Sequence, residues 1–334
     1  MDLNAIWFVL IMVLFTGFFI LEGFDYGVGM LLIGRSEYDR SMMIRAIGPV
    51  WDGNEVWMIT AGGATFAAFP HVYATMFSTF YIALFLMLLG LIFRGVAFEL
   101  RGKYPSKDWR LGWDAAIVFG SLVPALLWGV AVTNLLQGLK INAYMHYIGN
   151  FGDLLSPYTL VGGLAFVFVF IFHGAAFLTL KIGDEGLKLD IQRKSIKFGV
   201  IAALLYVMMV AMTLTSTDIL DKGIMGVSLF VLGAINFLTA IHAMWQGRAK
   251  VAFIFTTMAI ALTVVQFFTA LFPRLMVSSL NPDWSLTIYN AASTPHTLMI
   301  MTGAALVFVP IVLCYQAWTY RLFKERITAR DLKH

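Results

Sequence analysis

Residues Ile6–Leu32 read IWFVLIMVLFTGFFILEGFDYGVGMLL, an apolar run in which the charged side chains are Glu22 and Asp25. A helix needs about 20 predominantly apolar residues to cross the hydrocarbon layer of a membrane. The run is too long for the apolar region of a secretory signal peptide, and no basic residue precedes it. It therefore predicts a transmembrane helix that is retained in the mature chain.

Further apolar runs of similar length follow, and with the first they predict nine transmembrane helices. Their bounds are Ile47–Phe69, Tyr73–Phe98, Trp113–Leu136, Pro157–Leu180, Ile196–Thr215, Gly223–Met244, Ala252–Phe272 and Pro295–Leu322. Of the 334 residues, 60% are hydrophobic and 13% are charged, and the mean hydropathy is +0.82. No soluble core could bury that much apolar surface. We therefore predict an all-α integral membrane protein, a single transmembrane domain over residues 1–334 with two four-helix bundles and one extra helix.

The basic residues predict the orientation, because cytoplasmic loops are enriched in Lys and Arg. With nine crossings and the N-terminus outside, only Lys140, Lys222 and Arg274 of the 23 basic residues fall on the outer side, and the other 20 fall on the cytoplasmic side. The C-terminus is then cytoplasmic. The pI of about 9.1 accordingly reflects topology and anionic lipid headgroups, not nucleic acid.

Little in the loops indicates a soluble catalytic domain. The connections are short, and the sequence contains no CxxC, GxGxxG or P-loop motif. The single cysteine, Cys314, cannot form an internal disulfide, so it leaves the redox compartment open. Function must therefore be sought within the apolar segments.

Ionisable side chains at bilayer depth are costly, which makes their positions informative. Glu22 and Asp25 are three residues apart in the first segment and share a helix face, and Asp52 and Glu55 do the same in the second. Because the two segments run in opposite directions, all four carboxylates are expected close together in the cytoplasmic half. Groups of this kind suit a path that takes up and releases protons.

An alternative interpretation is a structural ion-pair network. Arg94 and Glu99 lie near the inner end of the third segment and Asp114 opens the fourth, so Arg94 could neutralise Asp52 or Glu55. Such a network would fix how the helices pack, and the residues alone leave both interpretations open. Glu22 and Asp25 have no cation on their own segment, which favours the functional interpretation for them. Asn54 adds an amide that could hydrogen-bond between helices.

Histidines raise the question of haem, whose iron needs axial ligands. His71, His146 and His296 lie at or beyond the predicted outer surface, whereas His173 and His242 lie well inside predicted helices, both in the inner half. A bis-histidine haem between the fifth and seventh segments is one hypothesis. A histidine that is hydrogen-bonded within the core is the commoner arrangement. No cluster of residues predicts a metal site.

Several motifs resemble subunit II of the cytochrome bd-type quinol oxidases. They are EGFDYGVGM at 22–30, WDGNEVW at 51–57, MITAGGATFAAFP at 58–70, FRGVAF at 93–98, TNLLQG at 133–138, the outer loop at 272–279 and the Val-Pro pair at 309–310. They occur in the right order over nearly the whole chain. The length and the predicted helices are similar too.

The resemblance implies a role that no motif reveals by itself. In this family, subunit I carries two haems of b type and one of d type, and subunit II is a haem-free partner that is needed for assembly. The complex oxidises quinol, reduces dioxygen to water and takes protons from the cytoplasm. A small single-helix subunit often joins it in the bacterial cytoplasmic membrane. Some members hold a structural quinone in subunit II, and the sequence leaves open whether this chain binds a quinone or a lipid.

The resemblance also bears on individual residues. Asp25 and Asp52 match acidic positions that the family is thought to use in proton delivery, whereas Glu22 replaces an aspartate found in some members. His173 and His242 match no haem ligand of the family, so no cofactor is expected on this chain. Two other classes compete with this interpretation. A standalone ion or proton transporter would share the buried carboxylates, and a haem-bearing cytochrome would use the two histidines.

Overall fold

The computed structural model describes residues 2–332, and it is helical almost throughout. Lys333, which we counted with the cytoplasmic basic residues, lies outside this range. The α-helices are α1 Leu3–Met30, α2 Glu37–Ile47, α3 Trp51–Ala68, α4 Pro70–Thr79, α5 Tyr81–Leu100, α6 Lys107–Gln137, α7 Pro157–Lys181, α8 Glu185–Ser216, α9 Ser228–Trp245, α10 Ala249–Leu271 and α11 Pro295–Leu322. Two short antiparallel strands, β1 Arg274–Met276 and β2 Leu286–Thr287, lie in the loop before α11.

Eight helices between residues 2 and 332 are long and apolar enough to cross a membrane, which confirms the all-helical membrane class. The expected segment at 47–69 is a helix, α3, but it is not among these eight. Its first two turns carry Asp52, Asn54 and Glu55, which lower its mean hydropathy. The hydropathy of the described helices thus supports eight spans, one fewer than the sequence predicts.

The expected segment at 73–98 contains a break. The chain forms α4 and then α5, and Phe80 between them has non-helical torsion angles (φ −97°, ψ 21°). Pro70 begins α4 at a position where its missing N–H costs no hydrogen bond. Other helix starts are capped by side chains, as at Asp2 before α1 and Ser106 before α6. The segment at 295–322 has the bounds that the sequence predicts.

Helix α1 lies at the centre of the packing. It contacts α3, α6, α7 and α10, while α7 contacts α6 and α8, and α9 packs on α10. The approach of α1 to α7 depends on glycine, because a Cβ on Gly27 would overlap the carbonyl oxygen of Phe170 and one on Gly174 would overlap the backbone of Gly27. Helix α11 is peripheral, since Leu298 is its one buried residue among those described.

The two ends of the bundle differ in chemistry. We call the end with the 138–156 and 273–294 loops the loop end, and the end with α2 and the chain after α11 the basic end. At the loop end, Lys140 Nζ donates to Asp153 Oδ1 at 2.8 Å and lowers the pKa of that carboxyl. At the basic end, a hydrogen bond from Arg110 likewise lowers the pKa of Glu37. Ion pairs therefore order the surface at both ends.

Candidate functional site

The centre of the candidate site is an ion pair between Glu22 on α1 and Arg94 on α5. Both side chains are fully buried, and Arg94 Nη1 donates to Glu22 Oε1. The guanidinium carbon lies 5.0 Å from the ring centroid of Tyr26 and 5.6 Å from that of Phe98, so aromatic faces provide further stabilisation. The hypothesis that Arg94 forms its ion pair with Asp52 or Glu55 is therefore wrong, because Arg94 pairs with Glu22. No cation for Glu22 was visible in its own segment because its counter-ion comes from another helix.

Asp25 lies one helical turn from Glu22 and is also fully buried. Its Oδ2 accepts a hydrogen bond from Asn54 Nδ2 on α3 at 2.7 Å, and Oδ1 has no hydrogen-bond partner. Among the ion pairs of the described chain, none includes Asp25. A buried carboxylate without a counter-ion is costly, whereas the protonated acid carries no charge to compensate. Asp25 is therefore the carboxyl in this cluster that is best suited to hold a proton.

Several other polar atoms on α1, α5 and α6 are buried and lack a hydrogen-bond partner. They are Glu22 Oε2, Tyr26 OH, Arg94 Nε, Arg94 Nη2 and Ser121 Oγ. Buried polar atoms are usually satisfied, so a group of this size is unusual for packing alone. The cluster combines donors and acceptors at membrane depth, where protons could be exchanged.

Asn54 connects this cluster to the peripheral helix α11. Its Oδ1 accepts hydrogen bonds from Tyr320 OH at 2.7 Å and from Gln316 Nε2 at 3.3 Å. Gln316 Oε1 in turn accepts from Trp57 Nε1 at 2.7 Å. Sequence reasoning identified Asn54 as a possible interhelical donor but missed Trp57, Gln316 and Tyr320. The spacing of Gln316 and Tyr320, four residues apart on one apolar helix, is the signal that could have indicated them.

The remaining acidic candidates lie nearer the surface. Asp52 and Glu99 are exposed, and Glu55 is half-buried and close enough to Arg94 and Asp52 for electrostatic interaction. A cleft at the basic end is open to solvent and has an empty volume of about 2510 Å³, open space included, and its lining includes Trp51, Phe98 and Glu99. Phe98 also contacts Arg94, so the base of this cleft approaches the buried cluster.

Asp114 belongs to a separate group. Arg40 Nε lies 2.8 Å from Asp114 Oδ2, and Arg101 Nε donates to Oδ1 at 2.5 Å. Arg101 Nη1 also donates to Ser41 Oγ at 3.1 Å. These contacts join α2, α5 and α6 at the basic end. Of the three predicted charge partners, Arg94 is in the buried cluster, while Glu99 and Asp114 are not.

His173 is held by protein groups on both ring nitrogens. Nδ1 lies 2.7 Å from Thr256 Oγ1 and Nε2 lies 3.1 Å from the carbonyl oxygen of Ile20. His242 lies near the basic end, where its Nε2 is 2.7 Å from Gln246 Nε2. An axial ligand needs a ring nitrogen free for iron. The geometry therefore argues against the bis-histidine haem, and residues 2–332 contain no group of three or more His, Cys, Asp or Glu side chains placed to hold a metal ion.

A partly open apolar cleft lined by α1, α7, α8, α9 and α10 has an empty volume of about 460 Å³, open space included. Phenylalanine side chains dominate its lining, and Tyr206 and Thr263 contribute hydroxyls. These two hydroxyls bond to each other at 2.8 Å, and Thr263 also donates to a backbone carbonyl. The lining thus suits an apolar chain and presents no free donor for the carbonyl of a quinone ring.

The fold and the cluster define a class of protein, a polytopic membrane protein that holds an arginine and two carboxyl groups buried between its helices. The family described as cytochrome bd terminal oxidase subunit II matches residues 3–323. The chain belongs to this family and is a subunit of an oxidoreductase complex of the respiratory chain. Its resemblance to the family is thereby confirmed.

Individual relatives agree with this assignment. The chain is 40% identical to the cytochrome bd ubiquinol oxidase subunit 2 of Bacillus subtilis, with 99% of this chain and 98% of the relative covered. It is 37% identical to the cytochrome bd-I ubiquinol oxidase subunit 2 of Escherichia coli, with 99% and 97% covered. These similarities do not favour the transporter alternative.

A solved structure shares the fold. It is a chain of the bd oxidase from Geobacillus thermodenitrificans, which superposes with a TM-score of 0.78 at 19% sequence identity. The superposition covers 97% of this chain and 99% of that chain. Since the identity is low, this likeness bears on the fold alone.

Proposed function

We propose that this chain is a haem-free subunit II that supports assembly of the haem-bearing subunit I and conducts protons from the cytoplasm toward the site of oxygen reduction. The observation that carries the proposal is Asp25, which is fully buried, has no cationic partner among the described residues, and is hydrogen-bonded through one oxygen. A purely structural carboxylate at this depth would be expected to have a counter-ion, as Glu22 has.

The route begins at the basic end. The cleft that includes Glu99 and Trp51 brings water to the start of α3, where Asp52 is exposed. Glu55 lies one turn further along α3 and leads to the buried pair of Glu22 and Arg94 and to Asp25. Each step on this route moves from an exposed group to a more buried one. The charge of Arg94 compensates Glu22, which leaves Asp25 to bind and release the proton.

A topology of nine crossings, with the N-terminus outside and the C-terminus in the cytoplasm, is consistent with proton uptake from the cytoplasm. Helix α3 has 18 residues and so spans about 27 Å, close to the thickness of the hydrocarbon layer. Near its start, Asn54 donates a hydrogen bond to Asp25 on α1. At its end, the carbonyl oxygen of Ala68 accepts from the amide of Ser293 at 2.8 Å, just before α11. Helix α3 therefore runs antiparallel to α1 over the same depth, and Asn54 is tolerated within it because its side chain bonds to α1 and α11.

The contacts between helices support two groups and one extra helix. Helices α1, α3, α5 and α6 form one group, and α7, α8, α9 and α10 form the other. Helix α11 contacts α1 and α3 and leaves most of its apolar surface exposed. A surface of this kind is suited to lipid or to an apolar partner subunit.

The partner is subunit I, which in this proposal holds two b-type haems and one d-type haem. Haem in that subunit would reduce dioxygen to water with electrons from quinol. The relatives are described as subunits of ubiquinol oxidases, which supports this proposal. A small single-helix subunit and membrane lipid complete the complex in a bacterial cytoplasmic membrane. Part of a lipid chain or of a quinone tail would lie against the apolar cleft of this chain.

Purification tests the proposal. The tagged chain is isolated from its native membrane and, separately, after expression without other subunits, and the absorption spectra of the two preparations are compared. We expect haem d absorbance in the native complex and none in the chain alone. A Soret band in the chain alone, or a native preparation that lacks both haem and a second subunit, would contradict the proposal.

A further inference from the structure

The hydrogen bonds that reach Asp25 have a fixed direction, which is set at Trp57. An indole N–H donates and cannot accept, so the Gln316 atom that lies 2.7 Å from Trp57 Nε1 must be the oxygen. The amide nitrogen of Gln316 then faces Asn54 at 3.3 Å, and the Asn54 atom that receives it must also be an oxygen. The direction thus follows from the indole and does not depend on how either amide is drawn.

The same reasoning extends from Asn54 to Asp25. Since Asn54 Oδ1 faces Gln316 and also accepts from Tyr320 OH at 2.7 Å, its Nδ2 is the atom that lies 2.7 Å from Asp25 Oδ2. That nitrogen can only donate. Asp25 Oδ2 is therefore an acceptor whether the carboxyl is ionised or protonated.

From this geometry we propose that Trp57 and Gln316 are positioning residues that, acting through Asn54, hold the exchangeable proton of Asp25 on Oδ1. The carbonyl oxygen of a carboxylic acid accepts more strongly than its hydroxyl oxygen, so a proton on Oδ2 would weaken the hydrogen bond that Asn54 donates there. Oδ1 is the oxygen without a partner, as are Oε2 of Glu22, one turn away on α1, and Nε and Nη2 of Arg94, which pairs with Glu22. The chain of bonds therefore gives Asp25 one face for proton exchange. The inference rests on the proposed role of Asp25 in proton delivery.

The positions of these residues are consistent with a positioning role. Asn54 and Asp25 are fully buried, whereas Trp57 and Gln316 are only partly buried. Leaving a buried amide or carboxyl unsatisfied is costly, so an inverted arrangement would be disfavoured at each link. These hydrogen bonds also link α11 to α1 through Asn54 on α3, so a displacement of α11 would change the hydrogen bonding of Asp25.

Infrared difference spectroscopy of the assembled oxidase in membranes tests the inference, because the C=O stretch of a protonated carboxyl falls when its carbonyl oxygen accepts a hydrogen bond. Asp25→Asn identifies the Asp25 band by removing it. We expect one band in the natural protein and a shift to higher wavenumber in Asn54→Leu, which removes the donor. In Trp57→Phe the side-chain amides of Gln316 and Asn54 lose the donor that orients them, so both can rotate by 180°. Molecules in which they have rotated should give a second Asp25 band at higher wavenumber. Gln316→Leu removes the amide that links Trp57 to Asn54, at a peripheral site, and should give the same second band. It replaces Trp57→Phe if that variant does not assemble.

Trp128→Phe is the matched control, since the indole Nε1 of Trp128 is buried without a hydrogen-bond partner. It should leave the Asp25 band single and unshifted. Absence of any protonated Asp25 band, an unshifted band in Asn54→Leu, or a single unshifted band in both Trp57→Phe and Gln316→Leu would overturn the inference. The proposed proton delivery is judged separately by turnover. If Asp25→Asn turns over normally while the band behaves as expected, proton delivery through Asp25 fails and the positioning by Trp57 stands.

Discussion

Arg94 on α5 and Glu22 on α1 form an ion pair in which both side chains are completely buried. The pair joins α1 to α5, and Asp25, one turn along α1, remains without a cation of its own. A carboxyl group with a buried counter-ion and one without thus lie one turn apart on α1. This difference leads to separate predictions for the two residues.

The first prediction concerns the stability of the ion pair. Arg94→Leu leaves Glu22 buried without a counter-ion, and breaking a buried pair in this way costs about 3–5 kcal/mol. We expect a large loss of assembled complex and a lower midpoint of thermal unfolding, measured by tryptophan fluorescence. Glu22→Leu combined with Arg94→Leu should restore much of the yield, because neither charge remains. Arg193→Leu, at an exposed position, is the control. Wild-type stability of Arg94→Leu would show that the pair does not hold the helices.

The second prediction concerns the approach of α1 to α7. In Gly27→Ala the added methyl group would overlap the carbonyl oxygen of Phe170, which is backbone and cannot rotate away. We expect a destabilisation of about 1–3 kcal/mol and a lower yield of complex, as for other overpacked sites. Gly112→Ala is the matched control, since no atom lies within 4 Å of the Cβ it would add. Equal stability of the two variants would contradict the close approach.

The third prediction concerns His173. His173→Phe removes the hydrogen bonds to Thr256 and to the carbonyl of Ile20 and should cost roughly 1–3 kcal/mol. Because no haem is expected on this chain, the haem content per complex should stay at the natural value in the protein that does assemble. A pyridine haemochrome assay of the purified complex measures it. Selective loss of one haem would show instead that His173 is a ligand.

The fourth prediction concerns the crossing by α3. In a Cys314→Ser background, single cysteines are placed at Tyr38 before α3 and at His71 after it, both exposed. A membrane-impermeant maleimide should label His71→Cys in intact cells and Tyr38→Cys only after the membrane is opened. The background protein without an added cysteine should stay unlabelled. Labelling of both sites from the same side would mean that α3 does not cross.

Much of the membrane architecture follows from the sequence alone. Apolar length predicts helices such as α11 with correct bounds, because lipid imposes the same requirement on every span. Local chemistry is less visible to hydropathy, as α3 shows. Its polar first turns reduce the apolar signal, although Asn54 faces Asp25 and α11 rather than lipid.

The candidate site was only partly predictable. The depth of Glu22 and Asp25 in an apolar run indicated burial correctly, since the cost of a charge in lipid depends on position along the helix. The counter-ion of Glu22 was not predictable, because it depends on how α1 and α5 are rotated against each other. The same is true of the link from Asn54 to Tyr320, which joins residues far apart in the chain.

Proton delivery through Asp25 is tested by oxygen consumption of the Asp25→Asn complex, expressed per haem and compared with Asp283→Asn, which changes an exposed carboxyl at the loop end. Loss of a group that relays protons should slow turnover by roughly a hundredfold or more, with haem content close to natural and Asp283→Asn unaffected. Normal turnover per haem in Asp25→Asn would contradict proton delivery through this chain. Loss of haem in step with activity would contradict it as well, because Asp25 would then be structural.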